Sequence, residues 1–368
     1  MTEVHPLVAR YLAINPGRDH RKRDLMSFFR AHGCETDKDA WDVLTTMRRG
    51  SKVGYYTAAQ VATTFAEPTH VKTVVTDPFD PLVMPTKNPV YVKWGNYGDL
   101  RKIIQSQMFY PVYVAGLSGN GKTMMIEQAC AELKRAYVRV QCTPETDEND
   151  LLGGYRLQDG NTIFEKGPVV RAMEAGAICI LDEIDRGTNK MMALQGVMEG
   201  KPVLLKKTGE VVYPRPGFNV IATANTKGRG SDDGKFVAAS IIDEAFLERF
   251  TIVLDQPYPP AAVETVILAH LAELFGLAKA DTSKFITDLV KWSEAIRATY
   301  AMGKVDEVVS TRRLCQMVQT LAIFNNETKA VKLGLARFDD DTRDAFFSLY
   351  RNITGNTEIE EDQPEESA

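Results

Sequence analysis

The sequence predicts an α/β protein, a parallel sheet with helices on both faces, followed by a small all-helical domain and preceded by a small helical region. Three observations carry this expectation. From residue 90 to about 256, apolar strand-like runs alternate with helix-period stretches: PVYVA, AYVRVQC, AICILDE, FNVIATAN and FTIVLDQ mark the strands. The first of these runs breaks into glycines and turns at once into a helical pattern, the junction of a strand–turn–helix unit. Beyond QPYPP at 256–260 the strand-like runs stop, and helical periodicity continues to about residue 351.

Taken in order, residues 1–75 read as short helices, with ARYLA, DLMSFFRAH and AWDVLTTM as apolar-periodic pieces. Residues 76–89, TDPFDPLVMPTKNP, form a proline-rich linker that is extended and poor in helix. Residues 90–256 form the α/β domain and 257–351 the helical domain. Residues 352–368 are an acidic tail whose composition cannot support a core. Two hairpins interrupt the α/β part: YRLQDGNTIF at 155–164, turning at Asp159-Gly160, and VLLKKTGEVVY at 203–213, turning at Thr208-Gly209. They serve either substrate contact or sheet-edge decoration.

At 368 residues the chain can bury a sizeable core in two or three domains. It carries 44 basic and 49 acidic residues, net charge -5, and the stretch TEIEEDQPEESA at 357–368 accounts for that acidic excess. A near-neutral body gives no global case for nucleic acid, although RDHRKRD at 18–24 is a local basic cluster. The five cysteines, Cys34, Cys130, Cys142, Cys179 and Cys315, are scattered and never in a C-x-x-C pair, which fits a reducing cytoplasm. No apolar run approaches the about 20 residues of a membrane span, so a soluble protein is expected.

Chemistry concentrates at three strand ends. GLSGNGKT at 116–123 matches G-x-x-x-x-G-K-[ST], a loop whose N–H groups and following helix N-terminus suit a polyphosphate. Gly116, Ser118, Gly119, Asn120, Gly121, Lys122, Thr123 and Met124 are its expected nucleotide contacts. Lys122 reaches the β and γ phosphates and the Thr123 hydroxyl meets Mg²⁺. ICILDEID at 178–185 delivers Asp182 and Glu183 to the carboxyl edge of the sheet, Asp182 for Mg²⁺ and Glu183 to polarise an attacking water. FNVIATANT at 218–226 ends on Asn225, an amide suited to both a γ-phosphate and that water.

Residues 90 to about 315 resemble the AAA+ ATPases of the MoxR group, and among them the CobS-like ATPase subunits of cobaltochelatases, phage forms included. The resemblance rests on GLSGNGKT, DLLGGYRLQDGNTIFEKGPVVRAMEAG, ICILDEIDRG, ATANTKGRGSDDG, IDEAFLERF and STRRL. It implies an AAA+ P-loop core with a helical lid, Mg-dependent ATP hydrolysis, and a homo-oligomeric ring, usually a hexamer. By the same likeness Lys122 and Thr123 are the Walker A pair, Asp182 and Glu183 the Walker B pair, and Asn225 is sensor 1. Arg249 falls at the arginine finger that enters a neighbouring subunit's site, its alternative being an ion pair with Asp243 or Glu244. Arg312 falls at sensor 2, with Arg313 beside it as the alternative.

The resemblance also implies a separate protein partner bearing a von Willebrand factor A domain, whose D-x-S-x-S signature this chain has only in half, in DTSKF at 281. Residues 1–75 lie outside the resemblance and serve either target recruitment or bracing of the ring. Two other functions compete with a protein-remodelling motor. One is a ring motor on DNA or RNA, resting on Arg21, Lys22, Arg23, Lys206, Lys207, Lys227 and Arg229. The other is a small-molecule kinase, against which the helical lid and Arg249 stand.

Overall fold

The computed structural model describes residues 20–21, 25–27, 48–49, 55–57, 81–158, 160–228, 230 and 240–355. The chain divides into two units, Met1–His70 and Val71–Ala368.

The second unit is built on five parallel strands: β1 (Val112–Ala115), β2 (Tyr137–Gln141), β5 (Ile178–Asp182), β8 (Asn219–Ala224) and β9 (Ile252–Asp255). They are ordered β9-β1-β8-β5-β2 across the sheet. All five strand-like runs read from the sequence are these strands. Period-two alternation gives the sheet two cores. Tyr113, Ala115, Cys179, Leu181, Val220 and Ala222 pack on one face, against Val169, Val170 and Met173 of helix α4 (Pro168–Ala175). Val112, Val114, Ile178, Ile180 and Ile221 pack on the other, against α1 (Tyr97–Ser106) and α2 (Lys122–Leu133).

Both predicted hairpins form. β3 (Gly153–Gln158) pairs with β4 (Asn161–Lys166) across a two-residue turn in which Gly160 has φ +78°. β6 (Val203–Leu205) pairs with β7 (Glu210–Val212). Ahead of the first hairpin lies α3 (Glu148–Leu152), closed by a capping box between Asp147 and Asp150. Short helices α5 (Gln195–Met198) and α6 (Glu244–Leu247) follow the acidic strand end and the third strand end.

Past QPYPP come α7 (Ala261–Leu274), α8 (Lys279–Ala301), α9 (Thr311–Phe324), α10 (Glu327–Leu335) and α11 (Asp340–Thr354). They enclose their own core around the fully buried Trp292, whose Nε1–H donates to the Phe346 carbonyl at 2.9 Å. Among the described residues no helix is long and apolar enough to cross a membrane.

The linker is less independent than its prolines suggest. Val83 exchanges backbone hydrogen bonds with Tyr137, and the Asn88 N–H donates to Gln128 Oε1, so residues 81–89 are seated on the α/β domain.

In the first unit residues 25–27 are helical, with Leu25 buried. His20–Arg21 and Arg48–Arg49 flank Tyr55–Thr57 in a small antiparallel sheet, which corrects the all-helical expectation there. Pairing of His20–Arg21 with Tyr55–Tyr56, 34 to 36 residues further on, leaves no local periodicity to read. The remainder of ARYLA, DLMSFFRAH and AWDVLTTM, residues 76–80, and the tail beyond residue 355 lie outside the described residues.

Candidate active site

The carboxyl ends of β1, β5 and β8 meet at the phosphate loop, as neighbouring parallel strands must. The loop turns on glycines at positive φ. Gly116 is at +152°, where a Cβ would lie 2.2 Å from the Gln256 carbonyl, so no side chain fits. Gly121, at +88°, caps α2 without a side-chain bond, leaving the first-turn N–H groups facing the loop. Lys122, the first residue of α2, is buried. Its ammonium donates to Gly116 O at 2.6 Å, Leu117 O at 3.0 Å and Asn225 Oδ1 at 3.2 Å. Burial pushes its pKa down to about 8, against the pull of Asp185, Asp182 and Glu183, while nearby Arg312 adds to the depression.

Asp182, the last residue of β5, is buried and saturated. Oδ1 accepts from Thr123 Oγ1 at 2.8 Å and from the Thr223 hydroxyl; Oδ2 accepts from Arg139 Nε at 2.9 Å and from its Nη2. Burial opposes ionisation, yet the two hydroxyls and the Arg139 guanidinium outweigh it and hold the carboxyl below its usual range. A hard cation shared with phosphates needs only one or two protein oxygens. A hydroxyl and a carboxylate oxygen side by side fit Mg²⁺.

Glu183 follows with φ +55° and ψ +47°, a left-handed backbone that costs a non-glycine residue on the order of 1 kcal/mol or more. That turn directs its side chain away from the strand line. Its carboxylate accepts from Gln141 Nε2 at 2.8 Å and from Arg186 Nε at 3.0 Å, and its N–H donates to Thr223 Oγ1.

Asn225 is held from below by Asp185, a buried residue whose Oδ2 accepts the N–H groups of Asn225 and Thr226 at 2.9 and 3.0 Å and the Thr226 hydroxyl at 3.1 Å.

Of the loop residues expected to touch nucleotide, Asn120 uses its side chain within the protein. It is buried, and its Nδ2 donates to the Gln256 carbonyl at 2.6 Å, locking the loop to the strand-to-lid connection. The Ser118 carbonyl accepts from the Tyr258 hydroxyl at 2.8 Å. Met124 remains exposed. A cleft of about 300 Å³ opens beside the loop, lined by Gly116, Leu117, Asn225, Lys227, Gln256 and Tyr258.

The two remaining arginines separate. Arg312 comes to the loop: its N–H donates to the Gly119 carbonyl at 3.2 Å, and a Cβ on Gly119 would lie 3.2 Å from Arg312 Cβ. Arg313 is instead a neighbour of Arg337, and burial together with that charge lowers its pKa. Of the two, Arg312 is the one whose backbone and Cβ lie against the loop. Arg249 is engaged elsewhere. Its guanidinium meets Glu199 Oε1 at 3.1 Å and the Ala245 carbonyl, so its ion-pair partner is neither Asp243 nor Glu244. Glu199 follows α5, and no sequence spacing links it to Arg249.

Sequence reasoning missed Arg139, Gln141, Thr223 and Asp185. Asp185 had a signal, as the third acid of LDEID. Thr223 sits two residues before Asn225 on the same strand. Arg139 and Gln141 had none, because only the pairing of β2 with β5, which sets Gln141 opposite Asp182, brings them here.

Residues 111–250 match the family described as AAA domain (dynein-related subfamily). Protein NorQ of Paracoccus denitrificans is 34% identical over 204 residues, covering 55% of this chain and 70% of NorQ. The aerobic cobaltochelatase subunit CobS of Sinorhizobium sp is 28% identical over 257 residues, covering 68% of this chain and 76% of CobS. Protein CbbQ of Hydrogenophilus thermoluteolus is 28% identical over 207 residues, covering 55% and 71%. With a five-stranded parallel sheet, a phosphate loop facing an acidic strand end, a helical lid and these relatives, the chain belongs to the AAA+ ATPases of the MoxR group.

Proposed function

We propose that this protein is a cytoplasmic, Mg²⁺-dependent ATPase that assembles into a ring, a hexamer by likeness to its group, and uses hydrolysis to remodel a separate partner protein. The observation that carries the reading is the meeting of separate tasks at one phosphate loop. Lys122 supplies phosphate charge, Thr123 and Asp182 a cation seat, Glu183 a base, Asn225 an amide sensor and Arg312 a lid contact. Mg²⁺, when bound, supplies charge neutralisation on the phosphates. Glu183 orients the attacking water once its carboxylate exchanges Gln141 for that water.

Arg249, tied to Glu199 within its own chain, is the group assigned to a neighbouring subunit's site. The target is taken to be a protein bearing a von Willebrand factor A domain, by likeness to CobS, which is named as one subunit of a larger enzyme. DTSKF lies in the first turns of α8, where the Thr282 hydroxyl donates to the carbonyl of Ala278, the residue before the helix. A protein target also accords with Lys206, Lys207 and Lys227, each of which has a protein partner, Glu148, Asn149 and Asp255.

In this reading residues 90–256 and 257–351 are motor and lid, and residues 1–75 recruit the target. The test mixes two inactive variants. Arg249→Ala alone loses about 10³-fold or more in turnover with ATP still bound. Mixed with Lys122→Ala, it regains part of the activity, because an intact Lys122 site then meets an intact Arg249 next door. Verified mixed rings that stay inactive at every ratio would sink the ring reading.

A further inference from the structure

We infer that Glu264 and Arg297, buried in the lid, are positioning residues: with Tyr258 and Thr311 they set the first turn of α9, and so Arg312, against the phosphate loop. The inference rests on the reading of Arg312 as a group that acts at the nucleotide.

The contacts form a closed circuit. The Tyr258 hydroxyl donates to the Ser118 carbonyl at 2.8 Å, and the Arg297 guanidinium lies 4.2 Å over the Tyr258 ring. Arg297 Nη1 and Nη2 grip Glu264 Oε2 and Oε1 at 2.9 Å each, while its Nε donates to the Val309 carbonyl at 2.9 Å. Glu264 is 0% exposed, and its Oε1 also accepts the Thr311 hydroxyl at 2.6 Å. Thr311 opens α9, and the next N–H, that of Arg312, returns to the loop at the Gly119 carbonyl. The circuit thus begins and ends on consecutive carbonyls of the phosphate loop.

A buried ion pair is weak evidence for stability, because apolar groups of similar volume in its place are often neutral or better; the role inferred for this saturated pair is therefore geometric. The bidentate grip fixes both carboxylate oxygens, which leaves one direction for the Thr311 hydroxyl. Gly119 completes the fit: at φ +74°, a Cβ there would lie 2.7 Å from Ser310 Oγ, so the loop admits the helix start only without a side chain.

The experiment uses the full-length protein and removes one hydroxyl at a time. Thr311→Val and Tyr258→Phe keep the apolar volume and lose a single donor. Melting temperature confirms folding, a fluorescent ATP analogue reports affinity, and ATP turnover gives kcat and KM. Thr311→Val is expected to lower kcat about fivefold to tenfold, the effect of one lost hydrogen bond, with analogue affinity changed less than kcat. Thr311→Ser is expected to restore kcat. In an Arg312→Ala background Thr311→Val should cost nothing further, because the relay acts through Arg312. Amide exchange at Arg312 and Arg313 should rise by a similar factor in Thr311→Val, while the far half of α9 stays protected.

Full multiplicative losses in the double variant, or unchanged exchange at Arg312, overturn the relay. A wild-type protein that binds the analogue but never turns ATP over would instead overturn the proposed function, and the exchange readout would still judge the relay.

Discussion

At the carboxyl edge of the sheet, Glu183 is held by partners that can let go, whereas in the lid Glu264 is enclosed by donors that cannot. Glu183 sits on a left-handed backbone, partly exposed, between the flexible ends of Gln141 and Arg186. Glu264 sits inside a regular helix with a bidentate arginine and a helix-start hydroxyl on its two oxygens. A carboxylate that must exchange partners during a reaction needs weak, solvent-reachable bonds and can tolerate local strain. One that must hold a distance needs burial and full satisfaction, since any missing partner is costly there.

The largest expected effect lies on the exchanging side. Glu183→Gln should lower turnover by roughly 10²–10⁴-fold, the usual worth of a general base, while nucleotide affinity is retained. Turnover within a factor of two of wild type would remove Glu183 from the chemistry. On the rigid side, Glu264→Ala strands Arg297 in the core and should cost about 3–5 kcal/mol in denaturant unfolding, whereas Glu183→Gln should leave stability nearly unchanged. Equal unfolding costs would erase the contrast between the two carboxylates.

A third measurement concerns Lys122. Its folded-state pKa of about 8 lies below the ordinary lysine value of 10.5. Between those values the unfolded chain holds the extra proton, so stability should rise with pH from about 8 upward and level off above 10.5. Comparing melting against pH for wild type and Lys122→Met isolates the effect: a difference that stays flat across that window would show that the lysine is not desolvated as described. The smallest effect is expected at Gln141. Removing its bond to Glu183 in Gln141→Leu should raise basal turnover by roughly twofold to tenfold, because the amide donor no longer competes with water for the carboxylate. A fall in turnover would recast Gln141 as a support for the active geometry.

Much of this was legible because it is local. The run VYVA, the glycine spacing of GLSGNGKT and the acids of LDEID each lie within a single strand and its turn, so the sequence carries both the element and the chemistry at its end. The short strands of the first unit were not legible for the complementary reason: His20–Arg21 and Tyr55–Tyr56 are strands only because they pair with each other.

By itself the sequence determined the strand–turn–helix units and the phosphate loop, together with the identity of Lys122, Thr123, Asp182, Glu183 and Asn225 as groups at strand ends. Backbone preference and period-two burial are properties of neighbouring residues. Only the tertiary structure decided that Arg139 and Gln141 face the acidic pair, that Arg249 answers to Glu199, and that Arg312 rather than Arg313 meets the loop. Those choices depend on strand order and on how the lid docks. Contacts between residues 30 to 200 positions apart are fixed by packing, which no short stretch of sequence encodes.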